Sequence, residues 1–167
     1  CLSDTITHIV HVPDIPLATI SGTTDACINE AVQPPVTFTA TEGTAPYTFY
    51  YHINSGGAQS VSTTGNNASA TVTAPTGTAG TFVYVLDSVR NTGSAACVRA
   101  ISGQTATIVI RPDATISLGS GAGSNNQTVC INNPIDTIRY NIGGSGNGAF
   151  ISSGTLPAGI STNYSAG

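Results

Sequence analysis

The sequence predicts an all-β protein, and three observations carry that prediction. Short apolar/polar alternations recur between turn signals, and no stretch carries helical periodicity. Thr, Ser, Gly, Ala, Val and Ile dominate, the residues of strands and turns. The chain also repeats itself. "HVPDIPLATIS" (residues 11–21) and "IRPDATIS" (residues 110–117) both end an alternating run at Pro-Asp and resume at Ala-Thr-Ile-Ser. The two copies lie about a hundred residues apart, which is the mark of tandem modules.

The elements follow in order. "LATIS" is the first strand of the complete module. In "VTFTA", Val36, Phe38 and Ala40 share a face. In "YTFYYHI", Tyr47, Phe49, Tyr51 and Ile53 share one face, while Thr48, Tyr50 and His52 take the other. "NSGG" (residues 54–57) makes a tight hairpin turn, and "ASATVT" is the next predicted strand. "APTGTAG" is a loop. "TFVYVLDSV" groups Phe82, Tyr84 and Leu86, and "QTATIVI" groups Ala106, Ile108 and Ile110. Phe38, Phe49, Tyr51, Phe82 and Tyr84 are the expected core. About seven short strands within a hundred residues fit an immunoglobulin-like β-sandwich.

The four cysteines keep the same period. Cys1 and Cys97 each precede an alternating strand that ends at Pro-Asp. Cys27 opens "CINEAVQPPVTF" and Cys130 opens "CINNPIDTIRY". Every module therefore has an early and a late cysteine. The expectation is a Cys27–Cys97 disulfide within the complete module, with Cys1 and Cys130 pairing outside this stretch of chain; four unrelated thiols are the alternative. A bridge closing so long a loop stabilises by roughly 4 kcal/mol in the chain-entropy model, and it implies an oxidising compartment. The expected organisation is residues 1–16 as the last strand of a preceding repeat, 17–112 as a complete immunoglobulin-like repeat, and 113–167 as the first part of a following repeat.

Composition excludes several functions. Charged residues are 7% of the chain, with no lysine, four arginines and eight carboxylates, for a net charge of −4. Phosphate binding needs clustered Lys and Arg, so nucleic acid is not an expected partner. No apolar run reaches the length of a membrane helix. His8 and His11 sit three apart on a strand and point to opposite faces, a poor metal chelate. The carboxylates are scattered singly, and no nucleophile elbow or phosphate loop is present. The expectation is a non-enzymatic module with neither metal nor cofactor. Tyr50 is the aromatic expected to face outward, a candidate ligand contact.

Two stretches carry a family resemblance. "GTAPYTFYYHINSGGAQSV" (residues 43–61), followed by "TGTAGTFVYVLDSV" (residues 76–89), resembles the immunoglobulin-like repeats of giant surface proteins in the Bacteroidota. "CINNPIDTIRYNIGGSGNGAFISSGTLPAGISTNYSAG" (residues 130–167) resembles the PKD-like repeats interleaved with them. That resemblance implies tandem immunoglobulin-like and PKD-like sandwiches, export by type IX secretion, and a role as a stalk in a surface adhesin or filament, such as those of gliding motility. It implies an extracellular, cell-surface location. The implied partners are neighbouring repeats, type IX secretion components and polysaccharide surfaces. It also implies O-glycosylation where Asp, a hydroxyl residue and an aliphatic residue follow one another, which places acceptors at Thr5, Ser88 and Thr137. The alternatives are a carbohydrate-binding or adhesive module and an accessory domain of a secreted hydrolase.

Overall fold

A computed structural model describes residues 7–9, 12, 14–91 and 97–163. The chain divides into two compact units, Cys1–Ile110 and Arg111–Gly167. Every regular element among the described residues is a β-strand, and none is a helix long and apolar enough to cross a membrane.

In the first unit, β1 (Ala18–Ser21), β3 (Pro35–Ala40) and β6 (Ser69–Thr73) form one sheet in the order β1-β3-β6. The second sheet contains β2 (Thr24–Cys27), β4 (Tyr47–Ile53), β5 (Gln59–Ser62), β7 (Gly80–Asn91), β8 (Val98–Ala100) and β9 (Thr105–Arg111). Its order is β2-β9-β7-β4-β5, with β8 beside β9 along the same edge of β7. The two sheets enclose one core, the arrangement of a β-sandwich.

The alternation read from the sequence is the alternation of burial. Val36, Phe38 and Ala40 are buried, as are Tyr47, Phe49 and Tyr51, and Ala106, Ile108 and Ile110. Aromatic contacts join the sheets: the Phe38 ring lies 5.7 Å from Phe49 and 4.9 Å from Tyr51, which lies 6.1 Å from Tyr84. Phe82, expected in the core, is only partly buried and packs against its edge. Buried Thr63 is satisfied by accepting the Tyr47 N–H at 2.9 Å.

Three features differ from the expectation. The hairpin partner of β4 is β5, whereas "ASATVT" becomes β6 of the opposite sheet. The polar run at residues 59–62 lacks apolar alternation, so pairing with β4 makes it a strand. An additional strand, β2, follows "LATIS", because the chain changes sheet at Gly22. That residue has φ +122°, and a Cβ there would collide with the Pro35 carbonyl oxygen. Finally, β7 carries a bulge opposite Tyr50 and Tyr51. The bulge shifts the buried phase from Tyr84 and Leu86 to Val89, leaving Asp87 and Ser88 between buried neighbours.

The described residues of the second unit hold one antiparallel hairpin, β10 (Thr115–Leu118) with β11 (Tyr140–Gly143). Gln127 ties its long connection together by donating to the Ser124 and Asp136 carbonyls and accepting the Asp136 N–H at 2.8 Å. Residues 7–9 and 12, within the expected last strand of a preceding repeat, carry no strand; the rest of that segment's alternating core lies outside the described residues.

Candidate functional site

The functional candidates fall in two places: the outer face of the larger sheet and the two poles of the sandwich. Tyr50 and Ser88 face each other across β4 and β7. His52, opposite Val85 in the register, follows on the same face, and the bulge leaves Asp87 unpaired and turned toward it. His52 Nδ1 lies 2.9 Å from each carboxylate oxygen of Asp87. The side chains are 31% and 40% exposed, so water screens the pair. The Asp87 carbonyl is also engaged, accepting the Ile101 N–H at 2.8 Å. The sequence places His52 outward but cannot bring Asp87 into contact with it, because that needs the β4–β7 register and its bulge.

Tyr50, the predicted ligand contact, is half-buried on this face. Paired hydroxyls recur on the outer surfaces of both sheets. Thr48 and Ser62 oxygens are 2.8 Å apart, Thr39 and Ser69 2.9 Å, and Thr37 and Thr71 3.0 Å. Such cross-strand hydroxyl bonds stabilise a sheet face without charge. Among the described residues no group of His, Cys, Asp and Glu could hold a metal. Asp14, Ile15, Thr41, Glu42, Gly43 and Arg99 line a wide, open depression at one pole.

The predicted glycan acceptors sit in unlike settings. Ser88 is half-buried within β7, flanked by β4 and β8. Thr137 is exposed on irregular chain in the second unit. Thr5 lies outside the described residues, as does Cys1.

The cysteines correct one expectation. Cys27 and Cys97 are free thiols, and they lie at opposite poles. Cys97 faces Asn91, the last residue of β7, through an Asn91 N–H bond to its carbonyl at 3.2 Å. Cys27 ends β2 at the other pole. There the Asn29 N–H donates to Thr76 at 2.9 Å, in the connection that leads into Gly80, the first residue of β7. Most of the length of β7 separates them, about 30 Å, whereas disulfide Cα atoms lie about 6 Å apart. A Cys27–Cys97 bridge within one sandwich is therefore excluded. The sequence period reveals two cysteines per module but not the strand directions that put them at opposite ends.

One further local match emerges. In Cys27-Ile28-Asn29-Glu30 the Cys27 carbonyl accepts the Glu30 N–H at 3.3 Å, and Asn29 has φ +58°. In Cys130-Ile131-Asn132-Asn133 the Cys130 carbonyl accepts the Asn133 N–H at 3.0 Å, and Asn132 has φ +66°. Both turns use Asn in the left-handed region it tolerates. Cys130 is likewise a free, exposed thiol. No protein-family model matches the chain, and no curated protein is significantly similar to it.

Proposed function

We propose that the chain is a structural repeat of a large extracellular surface protein, a spacer in a stalk or filament that carries an adhesive tip. The observation that carries this reading is the polarity of the first unit. The chain reaches β1 at the pole where Ala18 faces Ala40. It leaves β9 at the opposite pole, where Ile110 faces Gly80. Such a unit adds its own length to a series, about 36 Å along a twelve-residue strand such as β7. Three further observations support the reading. The Ala-Thr-Ile-Ser hairpin strand and the Cys-Ile-Asn turn occur in both units. The outer faces of both sheets carry cross-strand hydroxyl pairs. With no lysine, trypsin-like proteases are limited to four arginines.

In this reading the modules are of the immunoglobulin-like and PKD-like kinds, exported by type IX secretion and O-glycosylated. The test is the intact mass of the native chain, together with protease shaving of whole cells. Sugar-sized increments on a chain released from the cell surface support the reading. Glycan occupancy should be higher at exposed Thr137 than at Ser88, whose strand is paired on both sides. An unmodified chain retained inside the cell would overturn it.

A carbohydrate-binding module is the second reading, favoured by Tyr50 beside the His52–Asp87 pair. It requires that Tyr50→Ala abolish binding to a polysaccharide that the unaltered chain retains.

A further inference from the structure

We propose that Asn147-Gly148 is a self-modification site. The Gly148 backbone nitrogen closes on the Asn147 side chain, and water opens the resulting ring to aspartate and isoaspartate. The reaction needs no partner beyond water, so it stands whether or not the repeat reading does.

The sequence singles out this pair. Asn147 is the one asparagine of the chain that precedes a glycine, and every other is followed by a residue with a side chain. Glycine has no Cβ to crowd the approach of its own nitrogen, and it visits more backbone conformations than other residues.

The fold leaves the pair outside the turn that its sequence favours. Asn-Gly is a strong signal for a type I′ hairpin turn, which needs positive φ at both residues. Neither Asn147 nor Gly148 has positive φ. The turn after β11 closes earlier, where the Gly146 N–H donates to the Gly143 carbonyl at 3.2 Å and Gly144 has φ +65°. Residues 147–150 then run on as irregular, exposed chain.

Asn54 shows what protection looks like. Its N–H donates to the Val83 carbonyl at 2.9 Å, its Nδ2 donates to the Thr81 carbonyl at 3.2 Å, and its Oδ1 accepts the Val83 N–H at 2.9 Å. That side chain cannot swing toward the Ser55 nitrogen without breaking its bonds. Asn91 is buried, and its Oδ1 accepts the Cys97 N–H at 2.6 Å. By contrast, no hydrogen bond among the described residues holds the Asn147 side chain or the Gly148 N–H. The electrophilic carbon and the attacking nitrogen are both free, and they belong to adjacent residues, so ring closure is intramolecular.

The chemistry balances without an oxidant. Solvent base takes the Gly148 N–H proton, and the nitrogen attacks Asn147 Cγ. The new N–Cγ bond closes a succinimide. The Cγ–Nδ2 bond breaks, and Nδ2 leaves as ammonia, carrying its own hydrogens and a proton returned by solvent. Water then adds to either imide carbonyl. Opening at Cγ gives aspartate. Opening at the Asn147 main-chain carbonyl carbon gives isoaspartate, with the backbone routed through the side chain. Water is consumed and ammonia released mole for mole.

Either product adds a carboxylate to a chain of net charge −4. Isoaspartate also adds a methylene to the backbone just before Gly148, Ala149 and Phe150, which line a depression with Ile116 and Ile142 of the β10–β11 hairpin. The second unit therefore ages chemically beside its hairpin.

The experiment incubates the full chain in warm, mildly alkaline buffer. Peptide mapping reads aspartate and isoaspartate at each asparagine, and a protein-isoaspartate methyltransferase counts the isoaspartate. Asn147 should convert at least roughly tenfold faster than Asn54, which must first open locally. Gly148→Ala should slow Asn147 by roughly tenfold. That variant should fold normally, because a Cβ at Gly148 meets nothing within 4 Å and its φ is not positive; circular dichroism checks this. In urea Asn54 should quicken, while Asn147 should keep about the same rate. An intact Asn147, conversion led by another asparagine, or aspartate without isoaspartate would each overturn the proposal. So would an unchanged rate in Gly148→Ala, or a marked acceleration of Asn147 in urea.

Discussion

Ala-Thr-Ile-Ser occurs in both units, and its isoleucine meets two different fates. Ile20 is 8% exposed, whereas Ile116 is 61% exposed. The local structure is the same in each case. Ile20 lies on β1 opposite Phe38 of β3, and Ile116 lies on β10 opposite Ile142 of β11, both antiparallel. What differs is the opposing layer. Phe38 meets Phe49 and Tyr51 of a second sheet, while the described residues of the second unit contribute one two-stranded sheet. A hairpin is therefore set by its own alternation and glycine turns, but burial is set by what covers it. A two-stranded hairpin is marginal alone, and a sandwich is not.

The largest effect expected from this comparison is at the paired positions. Phe38→Ala removes a fully buried ring from between two sheets and should cost about 3–5 kcal/mol. Ile142→Ala removes a half-buried side chain and should cost under about 1 kcal/mol. Urea denaturation followed by circular dichroism reads both. Equal losses would show that the second hairpin is covered as fully as the first.

A second difference is chemical. Burial raises the phenol of Tyr51, and burial together with the Tyr51 charge raises that of Tyr84. A raised acid pKa means that the folded state holds its proton more tightly than the unfolded chain. The stabilisation is therefore full below the ordinary tyrosine pKa of about 10 and is lost as pH rises through the folded value. Melting temperature should fall steeply above that pH, and less steeply in Tyr84→Phe. An unchanged alkaline slope in that variant would remove Tyr84 from the account.

The sequence reading reached the first unit's inward faces because strand alternation is local: Val36, Phe38, Tyr47, Phe49 and Ile108 could be assigned without knowing their partners. It missed what depends on register. β5 becomes a strand only by pairing with β4, and the Asp87–His52 contact needs a bulge that the sequence does not mark. The cysteines show the same limit. Their recurrence was visible, but the pole each occupies follows from strand direction: β1 and β2 carry Cys27 toward the start of β7, and Cys97 meets Asn91 at its end.

The smallest expected effect tests the outer face against the core beneath it. His52 and Asp87 touch at 2.9 Å, close enough for a strong pair in a dry interior. Here both groups remain in contact with water, and exposed pairs contribute under about 1 kcal/mol. Asp87→Asn retains an acceptor for the His52 N–H and should shift the urea midpoint barely at all. His52→Ala should cost little more, and a double-mutant cycle with Asp87→Ala should give a coupling energy below about 1 kcal/mol. A larger coupling would mean that the face is covered, by a neighbouring copy or a ligand, since only exclusion of water raises the worth of such a pair. Repeating the cycle at high salt separates these cases: an open pair weakens and a covered pair persists.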